Sequence, residues 1–241
     1  MPSDLAALRG EPSYVWREGQ ERRLAMLARH ARLDGALVLE AGGGIGMYAS
    51  QIARRYTARV ALFDIEEARI HQARHETPLS AVAAAEALPY PDQTFDTILS
   101  HEVIEHVQDD RLALREMARV LKAGGRAVIF CPNRWYPFET HGHYWRGRYH
   151  FGNTPLINYL PDALRNRLAP HVRAYTRRSL LALLDGLPLR LIHHERIYGG
   201  YDNLIVRLGA PARRLRDALY RLEGTPFDAW GLSHLLVVER T

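Results

Sequence analysis

Residues 37–46 read LVLEAGGGIG, an apolar run that passes through Glu40 into a glycine-rich turn. Glycine suits such a turn because it adopts positive φ angles and places no Cβ between the backbone and a ligand. Asp64 ends the next apolar run, eighteen residues after Gly46. A carboxylate there can accept hydrogen bonds from both hydroxyls of a ribose. The two features together predict a nucleoside site at the carboxyl edge of a parallel sheet.

The hydrophobic pattern around this stretch predicts an α/β fold. Short β-branched runs alternate with stretches of helical period, which is typical of βαβ units and a mostly parallel sheet. Strands are predicted at 36–40, 58–64, 79–83, 94–100, 126–131, 189–197 and 234–239. Helices are predicted at 14–30, 46–56, 66–75, 110–121, 177–184 and 210–222, with a weaker one near 161–168.

Two segments interrupt the pattern within what we predict to be a single domain over residues 1–241. Residues 133–176 are rich in aromatic residues, Pro, Gly, His and Arg, and predict an insertion after strand five that acts as a substrate lid. A second insertion is expected at about 199–232.

Composition narrows the class of protein. The net charge is +5, with many arginines in the second half, which favours phosphates, carboxylates or an acidic membrane surface as partners. No apolar run approaches the roughly 18 residues that span a bilayer, and residues 1–19 lack the features of a signal peptide, so a cytoplasmic location is expected. A single cysteine, Cys131, agrees with a reducing compartment.

The glycine turn alone leaves the ligand open. Residues 44–49 also fit the G-x-G-x-x-A form used for dinucleotides, so an NAD(P)-dependent oxidoreductase is one alternative. Glu40 favours S-adenosylmethionine (SAM), because a carboxylate before the turn would repel a pyrophosphate but suits the cationic methionine end of SAM. A non-catalytic module that retained the fold is a further alternative.

Four ordered segments resemble motifs of class I SAM-dependent methyltransferases. Residues 40–46 resemble the acidic-x-G-x-G-x-G motif, and 85–96 (AEALPYPDQTFD), 101–107 (HEVIEHV) and 114–125 (LREMARVLKAGG) resemble three later segments of the family. The resemblance covers about residues 35–133. It implies a Rossmann-like, seven-stranded, mostly parallel sheet with the cofactor SAM.

The resemblance also implies the roles of individual residues. The glycine turn would face the methionine part of SAM, Asp64 would hold the ribose, and residues after strand three would meet the adenine. The implied cofactor-binding residues are Glu40, Gly42, Gly44, Asp64, Ile65, Ala85, Glu86, Ala87 and His101. The family often has Asp where this chain has Ala84, so the adenine contact would fall to the backbone of Ala85 and Glu86 or to the Glu86 side chain.

Residues 102–106 form a Glu-x-x-Glu-His cluster. Helical spacing would put Glu102 and His106 on one face, with Glu105 beside them. The order is a near miss to zinc-protease signatures, which argues against a zinc hydrolase. It is similar to the cluster of ubiquinone-biosynthesis O-methyltransferases, which implies a site for a divalent cation such as Mg on Glu102, Glu105 and His106. In a metal-free enzyme the same residues would only shape the SAM pocket.

Methyl transfer mostly requires alignment, with a base where the acceptor must lose a proton. His106 is the first candidate base, and His141 and His143 in the insertion are two others. The aromatic residues of the insertion predict a wall for an aromatic or lipidic acceptor, or a packed lid. They are Trp135, Tyr136, Phe138, Tyr144, Trp145, Tyr149 and Phe151.

A nucleic-acid acceptor is not expected. Residues 100–103 (SHEV) replace the Asn/Asp-Pro-Pro-aromatic tetrad of amino-group methylation, and Cys131-Pro132 reverses the Pro-Cys pair of cytosine C5 chemistry. We therefore predict a small-molecule acceptor, with O-methylation of a hydroxyl or phenol. The basic stretch from Arg213 to Arg221 adds a possible peripheral contact with an anionic membrane.

Overall fold

A computed structural model describes residues 15–56 and 58–241. A seven-stranded sheet forms its centre. The strands are β1 (Leu37–Ala41), β2 (Arg59–Asp64), β3 (Leu79–Val82), β4 (Phe95–His101), β5 (Leu121–Pro132), β10 (Leu189–Ile197) and β11 (Ser233–Arg240). Their order is β10-β11-β5-β4-β1-β2-β3. Strands β1 to β5 run parallel, whereas β11 lies antiparallel to both β5 and β10. The predicted mostly parallel α/β sheet is confirmed.

The structure has eight α-helices within residues 15–56 and 58–241, and some of them pack on the two faces of this sheet. They are α1 (Glu18–His30), α2 (Met47–Arg55), α3 (Glu67–Ala73), α4 (Asp110–Val120), α5 (Asp162–Leu168), α6 (Arg177–Ala182), α7 (Asp202–Leu208) and α8 (Ala210–Tyr220). Successive strand side chains point to opposite faces, so Leu39 packs in a core with α4 while Val38 packs in a second core with α1 and α2. Strands buried on both faces explain why the sequence shows continuous apolar runs rather than alternation.

The strand predictions hold within a few residues except at β5. The sequence predicted a helix to Leu121 and a strand from Arg126, but β5 begins at Leu121, directly after α4. Leu121 pairs with Phe95 of β4, and the register shifts before Thr97 pairs with Arg126. The glycines at 124 and 125 therefore lie inside an irregular strand and do not form a helix-ending loop.

The segment 133–176 is more regular than its composition predicted. It contains two small antiparallel pairs, one of β6 (Phe138–Glu139) with β9 (Thr154–Pro155), the other of β7 (His143–Trp145) with β8 (Arg148–His150). Arg165 of α5 is 1% exposed, and its guanidinium binds the Glu139 carboxylate at 2.9 Å and the Val172 carbonyl at 2.8 Å. One buried ion pair thus joins α5 to the first small sheet.

The segment between β10 and β11 contains α7 and α8, which meet at Gly209 with φ +63°. The sequence predicted the second of these helices and missed the first. Across 15–56 and 58–241, no helix combines the length and the apolar character needed to cross a bilayer.

Candidate cofactor and substrate site

The glycine turn after β1 has the backbone that its sequence predicts. Gly42, Gly44 and Gly46 have φ angles of 58°, 56° and 83°, and Gly46 is the residue from which α2 starts. A Cβ on Gly42 would lie 2.7 Å from Cγ2 of Val103. Both the left-handed backbone and the close approach of the segment after β4 therefore require glycine here.

Glu40 lies beneath this turn. Its carboxylate is 3% exposed and accepts a hydrogen bond of 2.7 Å from the Ala49 amide in the first turn of α2. Burial raises the pKa of Glu40 to about 8, against the lowering effect of the Ala49 and Tyr48 amides. The side chain does not line the cavity described below. Glu40 therefore holds the turn onto α2, and its direct contact with a cofactor stays a prediction.

Asp64, at the end of β2, faces the same turn. One carboxylate oxygen accepts a hydrogen bond from the Gly44 amide and the other from the Glu66 amide, each at 2.9 Å. Arg69 lies 4.0 Å from the carboxylate. Each carboxylate oxygen keeps a further lone pair. The side chain is thus held rigidly while it can still accept hydrogen bonds from a ligand.

A cavity of about 410 Å³ opens beside Asp64. Of the predicted cofactor residues, Gly42, Asp64, Ile65, Ala85 and Glu86 line it, whereas Gly44, Ala87 and His101 do not. The remaining lining residues are Phe63, Arg69, Ala83, Ala84, Glu102, Val103, His106, Val107, Gln108, Asp109 and Leu112.

The Glu86 side chain is already engaged. It accepts hydrogen bonds from the backbone amides of Gln108 at 2.7 Å and Asp109 at 3.2 Å. It therefore joins the loop after β3 to the loop before α4. The expected contact of backbone groups at 85–86 with an adenine stays a prediction.

The segment after β4 is not the helix that the sequence predicted. Glu102 has φ +55°, and residues 103–106 form one turn closed by a hydrogen bond from the His106 amide to the Val103 carbonyl. The expected helical face of residues 102–106 is therefore wrong. The chain leaves the sheet edge through a left-handed residue and turns sharply, so Glu105 points into the protein while His106 reaches the cavity.

Three side chains meet behind this turn: Glu105, His106 and His141. Glu105 Oε1 lies 4.0 Å from Nε2 of His106 and 4.0 Å from Nε2 of His141, and one ligand atom of each lies within 4.8 Å of the others. Both oxygens of Glu105 are buried without a hydrogen-bond partner in the described parts of the chain. Glu102 borders the group, 3.6 Å from Nε2 of His141.

These groups differ in charge. Burial raises the pKa of Glu105 well above its usual range, and the nearby Glu102 adds to this effect. Burial alone would raise the pKa of Glu102 and lower that of His141, but their ion pair outweighs it, lowering the first and raising the second to about 10. Burial, together with the His141 charge, lowers the pKa of His106 to about 4. Near neutral pH, Glu102 and His141 are charged, whereas Glu105 and His106 are neutral.

Comparison with known proteins agrees with this geometry. Residues 39–129 match the family model of a methyltransferase domain. A ubiquinone/menaquinone biosynthesis C-methyltransferase from Enterobacter sp. (strain 638) is 38% identical over 105 residues, which cover 39% of this chain and 42% of that relative. Over residues 39–129 the chain is therefore similar to a methyltransferase domain, in agreement with the resemblance to class I SAM-dependent methyltransferases.

Solved structures share this fold. A SAM-dependent methyltransferase from Mesorhizobium loti superposes with a TM-score of 0.64 at 19% identity, over 92% of this chain and 98% of that one. The [4+2]-cyclase SpnF superposes with a TM-score of 0.62 at 19% identity, over 93% of this chain and 83% of that one. The chain spans less than half the length of the curated relative, so substrate and reaction are argued below from its own site.

The residues that line the cavity fit SAM. A hydrogen-bonding carboxylate, Asp64, and a wall of small side chains at 83–85 lie on one cavity, which suits a ribose and a flat base. Beyond the cavity, Tyr48 and His101 each carry a buried polar atom with no hydrogen-bond partner in the part of the chain that the structure covers. Such atoms call for a polar ligand or water.

The two other histidines proposed from sequence occupy different environments in the structure. His143 lies in β7, stacked on His150 with ring centres 5.3 Å apart and 3.0 Å from the Thr154 hydroxyl, and does not line the cavity. Its role as a base stays a prediction without geometric support. His141 lies beside Glu105 and His106, although from the sequence it was only a candidate base. It lies 35 residues beyond His106, so no local spacing could have revealed the contact.

Proposed function

We propose that this chain transfers a methyl group from SAM to a small-molecule acceptor. The observation that carries the proposal is one cavity bordered by Gly42 and Asp64 at the family's cofactor motifs and by Glu102 and His106 at the turn after β4. A cofactor site and a set of acid–base groups thus share one space. The family match over residues 39–129 supports the same reaction.

Methyl transfer from SAM requires the protein to align the two reactants and to remove a proton from the acceptor. SAM supplies a methyl group on a sulfonium, and its transfer to the acceptor leaves S-adenosylhomocysteine. An acceptor O–H or C–H must lose its proton. Nδ1 of His106 lies 3.1 Å from the His171 carbonyl, so Nδ1 carries the hydrogen and Nε2 keeps a free lone pair. We assign the base role to His106, because His141 is already protonated.

The proposed acceptor class rests on exposed aromatic residues of the insertion. Three aromatic side chains of the insertion are exposed: Trp135 at 49%, Trp145 at 55% and Phe151 at 82%. They support an aromatic or lipidic acceptor that packs on residues 133–176, which would act as a lid. The curated relative is named a C-methyltransferase, so carbon and oxygen acceptors both need assay. O-methylation of a hydroxyl or phenol, and a cytoplasmic location, stay predictions from the sequence.

A divalent cation would bind Glu105, His106 and His141 rather than the predicted set of Glu102, Glu105 and His106. The support is the buried Glu105 carboxylate, whose two oxygens lack partners and face two imidazoles. Two imidazoles and one carboxylate suit Mn²⁺, Fe²⁺ or Zn²⁺ better than Mg²⁺, which prefers oxygen ligands. A cation on Nε2 of His106 would exclude that atom as a base, so the two roles are alternatives.

Calorimetry with Mn²⁺ and Mg²⁺ tests the cation site. Binding of Mn²⁺ with proton release, abolished in His141→Ala and retained in His143→Ala, would support it. Full turnover after treatment with a chelator would reject the cation and leave His106 as the base.

Peripheral membrane contact is supported by the surface around α7 and α8. Val206, Leu208, Leu215 and Phe227 are 86%, 58%, 53% and 56% exposed. Four arginines of the same segment form no ion pair with any residue in the described ranges; they are Arg207, Arg213, Arg214 and Arg221. Exposed apolar groups beside free cations suit an anionic lipid surface. Co-sedimentation with phosphatidylglycerol vesicles, lost in Val206→Glu/Leu208→Glu but retained on Arg146→Glu, would support this contact.

Titration calorimetry with SAM, S-adenosylhomocysteine and NAD tests the main proposal. We expect the first two to bind and NAD not to. Binding of NAD alone would overturn the proposal in favour of an oxidoreductase. SAM binding without methyl transfer to any phenolic, quinol or lipid acceptor would favour the non-catalytic module, an outcome that the fold shared with a cyclase makes worth testing.

A further inference from the structure

A second cavity, of about 380 Å³, lies where the two insertions meet. Its walls come from residues 136–138 of the first insertion, from Tyr198, and from α7, α8 and the short 3₁₀ helix Pro226–Trp230. It shares no lining residue with the 410 Å³ cavity beside Asp64. It is therefore a separate site, which neither the motifs nor the proposed methyl transfer uses.

The tyrosines in the walls of this second cavity have their hydroxyls already engaged. The Tyr198 hydroxyl donates to the Phe227 carbonyl at 2.7 Å, and the side chains of Tyr136 and Tyr201 are hydrogen-bonded to each other. These residues therefore present their rings to a ligand, while their polar atoms are satisfied by the protein. Such a wall favours an apolar ligand over one that needs hydrogen bonds.

Arg216 is the charged residue in these walls, and its charge is balanced. Its guanidinium lies 2.5 Å from the Glu18 carboxylate and 3.0 Å from that of Asp217. A further anion would meet two carboxylates beside this arginine, and their negative charge would oppose it. The cavity therefore suits the neutral, apolar part of a ligand and does not suit an anionic head.

The second cavity opens on the surface that we propose to contact a membrane. Leu204 of α7 and Leu215 of α8 line it and are 37% and 53% exposed. Trp230 lines it as well, and its ring stacks on the exposed ring of Phe227, with ring centres 6.3 Å apart. Leu215 and Phe227 belong to the proposed membrane surface, so that apolar surface continues into the cavity.

We infer that the second cavity binds one hydrocarbon chain of a membrane lipid, inserted from the bilayer surface. The inference rests on the proposed membrane contact and does not involve SAM. The lipid headgroup would remain outside, on the surface that carries Arg207 and Arg213. A helix of a partner protein is too large, because one turn of a helix 10–12 Å wide occupies roughly 500 Å³.

Calorimetry with octanol, decanol and dodecanol tests the cavity without a bilayer. Burial of each added methylene should tighten binding about 4-fold until the chain fills the cavity. Ala212 lies in the wall and is buried, so Ala212→Phe places a ring inside the cavity. It should weaken dodecanol about 10-fold or more, since several methylenes lose their place. Ala218→Phe, at an exposed position on the same helix, is the matched control and should leave the affinity unchanged.

Leu215→Glu keeps the inference testable if Ala212→Phe does not fold. It places a charge at the exposed rim and should weaken dodecanol about 10-fold. Leu208→Glu changes an exposed residue of the same surface that does not line the cavity, so it should leave dodecanol affinity unchanged. Equal losses in both variants would show adsorption to the surface and would overturn the inference.

Co-sedimentation with phosphatidylglycerol vesicles tests whether the chain comes from a bilayer. We expect Ala212→Phe to bind vesicles about 5- to 10-fold more weakly than Ala218→Phe does. Equal vesicle binding by these two variants would overturn the inference alone, and a raised KM for a tailed acceptor in Ala212→Phe would then assign the cavity to the acceptor. A wild-type protein that does not bind vesicles would overturn the proposed membrane contact as well.

Discussion

The sheet region of residues 37–132 and the insertion of residues 133–176 are built on different principles. In the first, apolar strands pair in a parallel sheet, and the polar residues stand at strand ends, as Glu40 and Asp64 do. In residues 133–176, strands of two or three residues are held by polar links such as the buried pair of Arg165 and Glu139. The sheet positions a cofactor site, whereas the insertion brings a charged histidine to that site from a distance.

The largest expected effect concerns the histidine at the boundary between the two regions. His106→Ala should lower kcat by about 10²- to 10⁴-fold, whether it acts as base or as ligand, because its ring reaches the cavity. His143→Ala should leave kcat within about 2-fold, since that ring stacks on His150 instead. Steady-state kinetics with an identified acceptor would test this assignment. A large loss of kcat in His143→Ala and none in His106→Ala would contradict it.

The buried ion pair of the insertion offers a test of stability. Arg165→Ala should destabilise the protein by about 3–5 kcal/mol in urea unfolding, because Glu139 would remain buried without its partner. The same substitution at exposed Arg167, on the same helix, should cost less than about 0.5 kcal/mol. If the insertion unfolds separately from the sheet, urea unfolding will show two transitions instead of one. The SAM-site residues of the sheet will then stay folded through the transition in which the insertion unfolds.

The cofactor half should show its own pH dependence through Glu40. A carboxyl whose pKa rises to about 8 on folding is protonated in the native state, so its stabilising effect is present below pH 4.5 and is lost as pH rises through about 8. Between pH 5 and pH 9 the wild-type protein should lose on the order of 3 kcal/mol of unfolding free energy through this group. Glu40→Gln should not show this loss. Parallel stability curves for wild type and variant would contradict the assignment.

Asp64→Ala should weaken SAM binding by about 1–3 kcal/mol through the loss of charge-assisted hydrogen bonds. Glu67→Ala, an exposed carboxylate three residues further on, should leave affinity unchanged. Because Asp64 also accepts from the Gly44 amide, thermal melts should accompany the titrations to separate loss of the turn from loss of the ligand contact.

Sequence reasoning succeeded where one local pattern decides one local structure. The strands β1 to β4 and the glycine turn followed from apolar runs and from residues that need positive φ. It missed α7, a helix with no buried residue, because no hydrophobic period marks it. It also missed β6 to β9, since strands of two or three residues carry no alternation to detect.

The site was predicted unevenly for the same reason. Asp64 stands where the motif places it, lining the cavity. The contacts of His141 with Glu105 and of Arg23 with Glu102 depend on chain segments far apart in sequence. For residues 102–106 the spacing itself misled, because it assumed a helix where the backbone takes a left-handed turn.

Glu102 stands between two cations, 3.9 Å from the Arg23 guanidinium and 3.6 Å from the His141 imidazole. Arg23 faces Oε1 and His141 faces Oε2, so one charge serves both contacts. A ligand that changes the contact of Glu102 with Arg23 therefore changes its contact with His141. By thermodynamic reciprocity, a ligand on the His141 side has an equal effect on the Arg23 side. Helix α1, which carries Arg23, and the insertion, which carries His141, are thus energetically linked through one side chain.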